Sequence, residues 1–138
     1  MAINTQLSQA AVEAEAGALA ALLNNGYLRI YEGAQPSGAD TPAPGAKVLA
    51  VLRFSATAFA SITDGIMVAN TIAPVIAGDN GTASWFRTFS SDGTTPIIDG
   101  SIGTSDANLV LGSVNISEGL VVNVSSFIHT IAKSYTGI

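Results

Sequence analysis

The hydrophobic period of this chain changes at Asn24-Asn25-Gly26, and that change restricts the folds open to it. Before it, Ile3, Leu7, Ala10, Ala14, Ala18, Ala21 and Leu22 recur at spacings of three or four and would share one helix face. Alanine favours helix intrinsically, and Asn-Asn-Gly tolerates the left-handed conformation that ends one. The spacing predicts an N-terminal helix over residues 1–25, with a face of mostly small side chains. That face can lie on the sheet of its own domain or on a neighbouring subunit.

From Tyr27 the period is two. In "YLRIYE" Leu28 and Ile30 point one way, and Tyr27, Arg29 and Tyr31 the other. "GAQPSGADTPAPG" follows, and its prolines and glycines make residues 33–46 an exposed loop. Further strands are expected at "KVLAVLRF", "GIMVANTIA", "TASWFRTF", "TPIID", "NLVLGSVNI" and "LVVNVSSFIHTIA". Glycine, serine and aspartate clusters separate the later ones. Short strands with frequent turn signals predict a mainly β chain, an antiparallel β-sandwich or barrel-like domain preceded by the helix. The whole chain, 1–138, reads as one domain, with the β part over 27–138.

Within it, "SWFRTFSSDGTTPIIDGS" is expected to form a central hairpin over 83–99, turning at Asp92-Gly93. Asp99-Gly100-Ser101 is expected to be the next turn. Trp85, Arg87 and Phe89 share one face of the first strand and Phe86 the other, so Trp85 is expected to be a packing residue. Arg29, Arg53 and Arg87 each sit mid-strand among apolar neighbours, where their stems can cover apolar surface while their heads stay wet or pair with acids.

Composition narrows the function. Charged residues make up 11% of the chain and hydrophobic ones 48%, which is sparse charge for a surface wetted on every side. Contact with other chains would cover the surplus apolar surface, as in symmetric assemblies. The net charge of −5, without a lysine or arginine run, speaks against nucleic acid. No apolar run reaches the ~18–20 residues of a membrane span, and "MAINTQLSQA" lacks the features of a signal peptide. With no cysteine there is no thiolate or disulfide chemistry.

Catalytic patterns are missing too. His129 is the only histidine and sits mid-strand, and no G-x-S-x-G elbow accompanies it. Glu13, Glu15, Glu32 and Glu118 form no close pair. Asp92, Asp99 and Asp106 recur every seven residues without the pattern of a calcium loop, and no phosphate-binding glycine motif occurs. No catalytic, metal or cofactor site is expected, and the chain is not expected to be an enzyme.

Three stretches carry a resemblance: "YLRIYEGAQPSGADT", "LAVLRFSATAF" and "GTASWFRTFSSDGTTPIIDGSIGTSDANLVLGSVNISEGLVVNVSSF". Together with the Ala-rich start they resemble a family of small tailed-bacteriophage and prophage proteins. Trp85 to Thr95 is the most specific segment. Members usually accompany virion morphogenesis genes, so the resemblance implies a structural part of the particle, assembled in the bacterial cytoplasm. The leading expectation is a capsid decoration, or cement, protein, present in many symmetric copies and bound to the major capsid protein or other virion proteins. Alternatives are a neck, tail-completion or tail-tube component, and a host-surface module reading sugars through Trp85 and Tyr31. Interface candidates are Arg29, Tyr31, Gln35, Pro36, Arg53 and Arg87.

Overall fold

The computed structural model describes residues 4–136. In chain order the elements are β1 (Asn4–Gln6), α1 (Gln9–Leu23), β2 (Tyr27–Tyr31), β3 (Val48–Arg53), β4 (Phe59–Thr63), β5 (Ile66–Ala69), β6 (Val75–Ile76) and β7 (Gly81–Thr82). There follow β8 (Trp85–Phe89), β9 (Pro96–Gly103), β10 (Leu109–Leu111), β11 (Asn115–Ile116), β12 (Val121–Val122), β13 (Val124–Thr130) and β14 (Ser134–Thr136). The chain is mainly β with one N-terminal helix, as its periodicity predicts.

Eight strands form one sheet in the order β3-β2-β8-β9-β10-β13-β5-β4. The two edge strands, β3 and β4, are joined by residues 54–58 alone. Flat, the sheet would hold its edges about 34 Å apart at ~4.8 Å per strand. Six Cα steps reach about 22 Å at most. The sheet must therefore curl, and it forms a half-barrel rather than a two-sheet sandwich.

One pair departs from the antiparallel expectation. β9 and β10 run parallel, with Leu109 beside Ile102. The chain makes this close return by looping through 104–108, where Asp106 adopts a φ of 49°. The side-chain oxygen of Asn108 accepts from the Ser101 amide and hydroxyl, both at 3.2 Å, and ties the two ends of the loop together.

The concave face holds the core: Leu28, Ile30, Leu52, Phe86, Leu109 and Phe127 are all at most 2% exposed. Phe127 meets Phe54, Phe59 and Phe86 at ring-centre distances of 5.2–6.1 Å, within the range of favourable aromatic pairing. Thr88 also faces inward, accepting from the Ile98 amide at 2.9 Å, which satisfies its hydroxyl where the β8–β9 register shifts.

The helix starts later than its spacing suggests, at Gln9, because Ser8 caps it: the serine hydroxyl accepts from the Ala11 amide. Residues 4–6 instead pair with 134–136 as a two-stranded ribbon. The buried face is Val12, Ala16 and Leu23, with Leu19 and Ala20 partly covered. The expected face of Ala10, Ala14, Ala18, Ala21 and Leu22 points to solvent, and Ile3 lies outside the described residues. Both faces are apolar, and the one with larger side chains wins because buried area sets the gain. The helix end does match: Asn25 has a φ of 58° and the Gly26 amide donates to Leu23.

Candidate interface

The convex side of β3, β2, β8 and β9 carries the arginines. Register sets Arg29 directly beside Arg87, an unfavourable like-charge pairing unless each head finds its own acceptor. Arg87 turns to its other neighbour, Asp99, with Nε to Oδ1 at 2.6 Å and Nη2 to Oδ2 at 2.9 Å. Arg29 turns the opposite way, lies 4.2 Å over the Phe89 ring, and donates to the Gly93 carbonyl at 3.0 Å. Arg53 lies 4.3 Å over Tyr27 and donates to the Asn25 carbonyl at 2.8 Å. Beside them Tyr31 and Trp85 stack at 4.2 Å, their planes nearly parallel at 11°.

This face is largely filled from within. Trp85 is 1% exposed, Arg87 6% and Tyr31 7%. The 33–46 loop crosses it: the Gly38 carbonyl accepts from Arg87 at 3.3 Å and the Gly33 carbonyl from the Ser84 hydroxyl at 2.5 Å. The hydrogen bond to Asp99 raises the Arg87 pKa above its ordinary value, burial opposes the rise, and the charges of Asp99, Tyr31 and Asp40 add to it. Trp85 is the packing residue its strand position predicts, and its indole Nε1 finds no hydrogen-bond partner among the described residues.

Burial sorts the interface candidates. Tyr31 and Arg87 are buried within the chain, whereas Gln35 and Arg53 are exposed and Arg29 and Pro36 half-buried. Trp85 and Tyr31, the residues expected to read sugars, are stacked on each other and covered. Asp99-Gly100 is not a turn, because both residues lie inside β9. Asp99 is there to pair with Arg87. Gly100 is there because a Cβ would fall 2.6 Å from the Phe86 ring. The other Asp-Gly step is the expected hairpin turn, with Gly93 at a φ of 74°.

The exposed apolar surface lies elsewhere. Of the nine large apolar side chains exposed among the described residues, Val48, Val51, Ile76, Leu120 and Val121 are five. Val48 and Val51 stand on the free edge strand β3. Ile76 pairs with Val121 in the β6–β12 ribbon, and Leu120 precedes it. Between β3 and the ribbon runs an open groove of about 270 Å³, lined by Val48, Leu49, Ala50, Val51, Ile76 and Gly78. At one end of the edge Lys47 lies 3.8 Å from Glu32 and 3.7 Å from Asp79; Arg53 stands at the other. A smaller patch of Ile66, Val68 and Ile128 lies across β5 and β13, where Ile128 is in register with Val68. No run of sequence announced the β3 groove, because its walls are 25 residues apart and only the sheet edge brings them together.

A second groove of about 320 Å³ is lined by polar Ser113, Asn115, Ser117 and Asn123 with apolar neighbours such as Ile116 and Leu120, and no lining side chain is ionisable. Among the described residues no three His, Asp or Glu side chains gather, and no helix is long and apolar enough to cross a membrane. Asp92 is absorbed by its own hairpin, accepting from Ser90, Thr94 and Thr95. His129 is half-buried beside Met67, and burial lowers its pKa. The fold and this surface define a class, a half-barrel β domain with one helix and an apolar groove along an open sheet edge. No family model, curated protein or solved structure matches the chain.

Proposed function

We propose that this chain is a structural protein of a tailed-bacteriophage virion, a decoration protein that binds across seams between major capsid subunits. The observation that carries the reading is the groove at the β3 edge: exposed valines along a strand with unused backbone groups, faced by Ile76 of β6, make a surface for another chain. The resemblance of Trp85 to Thr95 and its flanking stretches to phage proteins supplies the particle. A protein seated over a seam adds contacts to both neighbours, and both sets must be lost before the neighbours separate.

Electron cryomicroscopy of particles carrying this chain tests the proposal. Density for the half-barrel over capsid intersubunit joints is expected. Density confined to the neck or tail would move the protein to the alternative placement in the particle, and absence from the particle would end the virion reading.

A further inference from the structure

We infer that the β3 edge is a two-fold contact between copies of this chain, formed by antiparallel pairing of β3 with its counterpart in a second copy. Backbone parity comes first. The Phe54 amide donates to the Gly26 carbonyl at 2.9 Å, in line with the pairing of Leu28 with Leu52 and Ile30 with Ala50. Hydrogen-bonded pairs alternate along an antiparallel ladder, so Val51 and Arg53 turn their amides and carbonyls away from β2. Further along the same edge, the Leu49 carbonyl already accepts from the Gly78 amide at 2.9 Å. The chain thus pairs its own edge at residue 49 and leaves it free at 51 and 53.

The side chains there lack the usual protections. An edge strand open to solvent is normally blunted by charge, proline or cover. β3 reads VLAVLR, with its only charge at the end, and Val48 and Val51 are 37% and 43% exposed. The groove beside it, with Ile76 on its far wall, adds exposed apolar surface next to the free backbone groups of Val51.

Charge selects the orientation. At the Lys47 end Glu32 and Asp79 outnumber the lysine by one, and Arg53 makes the opposite end positive. Antiparallel pairing sets the positive end of each strand toward the negative end of the other. Parallel pairing would set like ends together. An antiparallel, self-complementary contact is also what a closed two-fold dimer requires. The inference uses the same edge that carries the proposed function and names a second copy as the chain paired there; it is read on the purified chain, so its failure would leave the edge to a capsid subunit and the virion reading standing.

Two measurements on purified protein test it. Sedimentation across a dilution series is expected to show a dimer that dissociates on dilution. Amide exchange is expected to slow at Val51 and Arg53 as concentration rises. Val51→Pro removes an amide that β2 does not use, and Ile76→Asp charges the groove wall without touching β3. Both variants are expected to lose the dimer while keeping the wild-type circular dichroism spectrum. A wild type that stays monomeric throughout would overturn the inference. So would a dimer whose Val51 and Arg53 amides exchange alike at high and low concentration, since another surface would then hold it.

Discussion

Trp85 packs a large ring against Tyr31 and also strands a polar group, since its Nε1 is buried with no partner among the described residues. Trp85→Ala is expected to cost about 3–5 kcal/mol, the usual range for emptying a buried aromatic site. Trp85→Phe keeps a ring and removes an unpaired N–H that costs about 1–3 kcal/mol where it stands. It should be much the milder change, and urea unfolding of both variants measures the difference. Two residues along, the Arg87–Asp99 pair has side chains only 7% and 5% exposed. Asp99→Ala leaves a buried guanidinium with only the Gly38 carbonyl and is expected to cost about 3–5 kcal/mol by urea melt. Replacing both partners by apolar residues of similar volume should recover much of that loss.

At the scale of one element, the β8–β9 hairpin shows how an aspartate builds a turn. Asp92 accepts hydrogen bonds from the Thr95 hydroxyl and amide, the Thr94 amide and the Ser90 hydroxyl, which hold its pKa well below the usual carboxylate range. The folded value is depressed, so the contribution to stability is fully present above the unfolded pKa of about 4. It is lost as pH falls through the lower folded value. The Thr95 amide resonance is therefore expected to stay unchanged through pH 4 and to move only in stronger acid. An Asp92→Ala variant should lack that late transition. A midpoint near pH 4 in the wild type would mean that the turn does not hold its carboxylate. α1 teaches a different lesson: two apolar faces met the spacing rule, and the packing of Val12, Ala16 and Leu23 chose between them.

For the whole molecule, the 33–46 loop joins β2 to β3 and crosses the convex face on the way. Its length first suggests a segment free to meet a partner. The Gly38 contact makes it part of the cover over Arg87 as well. Deleting residues 36–44 removes that carbonyl, and the emission of Trp85, the only tryptophan, is expected to shift to the red as water reaches it. The unfolding midpoint should fall with it. Unchanged emission would show that the loop shields nothing.

By itself the sequence determined what local chemistry decides: the helix stop at Asn25-Gly26, the alternation along β2 and β8, the turn at Asp92-Gly93, and the burial of Trp85. Each rests on a few adjacent residues whose conformational preferences agree. β4 escaped notice because no glycine or proline separates "RFSATAFASIT" into two runs. Asp99-Gly100 misled because a close approach by Phe86, from another strand, needs the same small residue that a turn needs. Only the tertiary structure decided the rest. It curled the sheet, since two edge strands joined by five residues cannot stand at opposite ends of a flat one. It gave Arg87 an acid and a loop carbonyl for partners, and it brought Val48 and Val51 beside Ile76 at an open edge. Those contacts join residues far apart in the chain, and strand order, which no local preference encodes, is what brings them together.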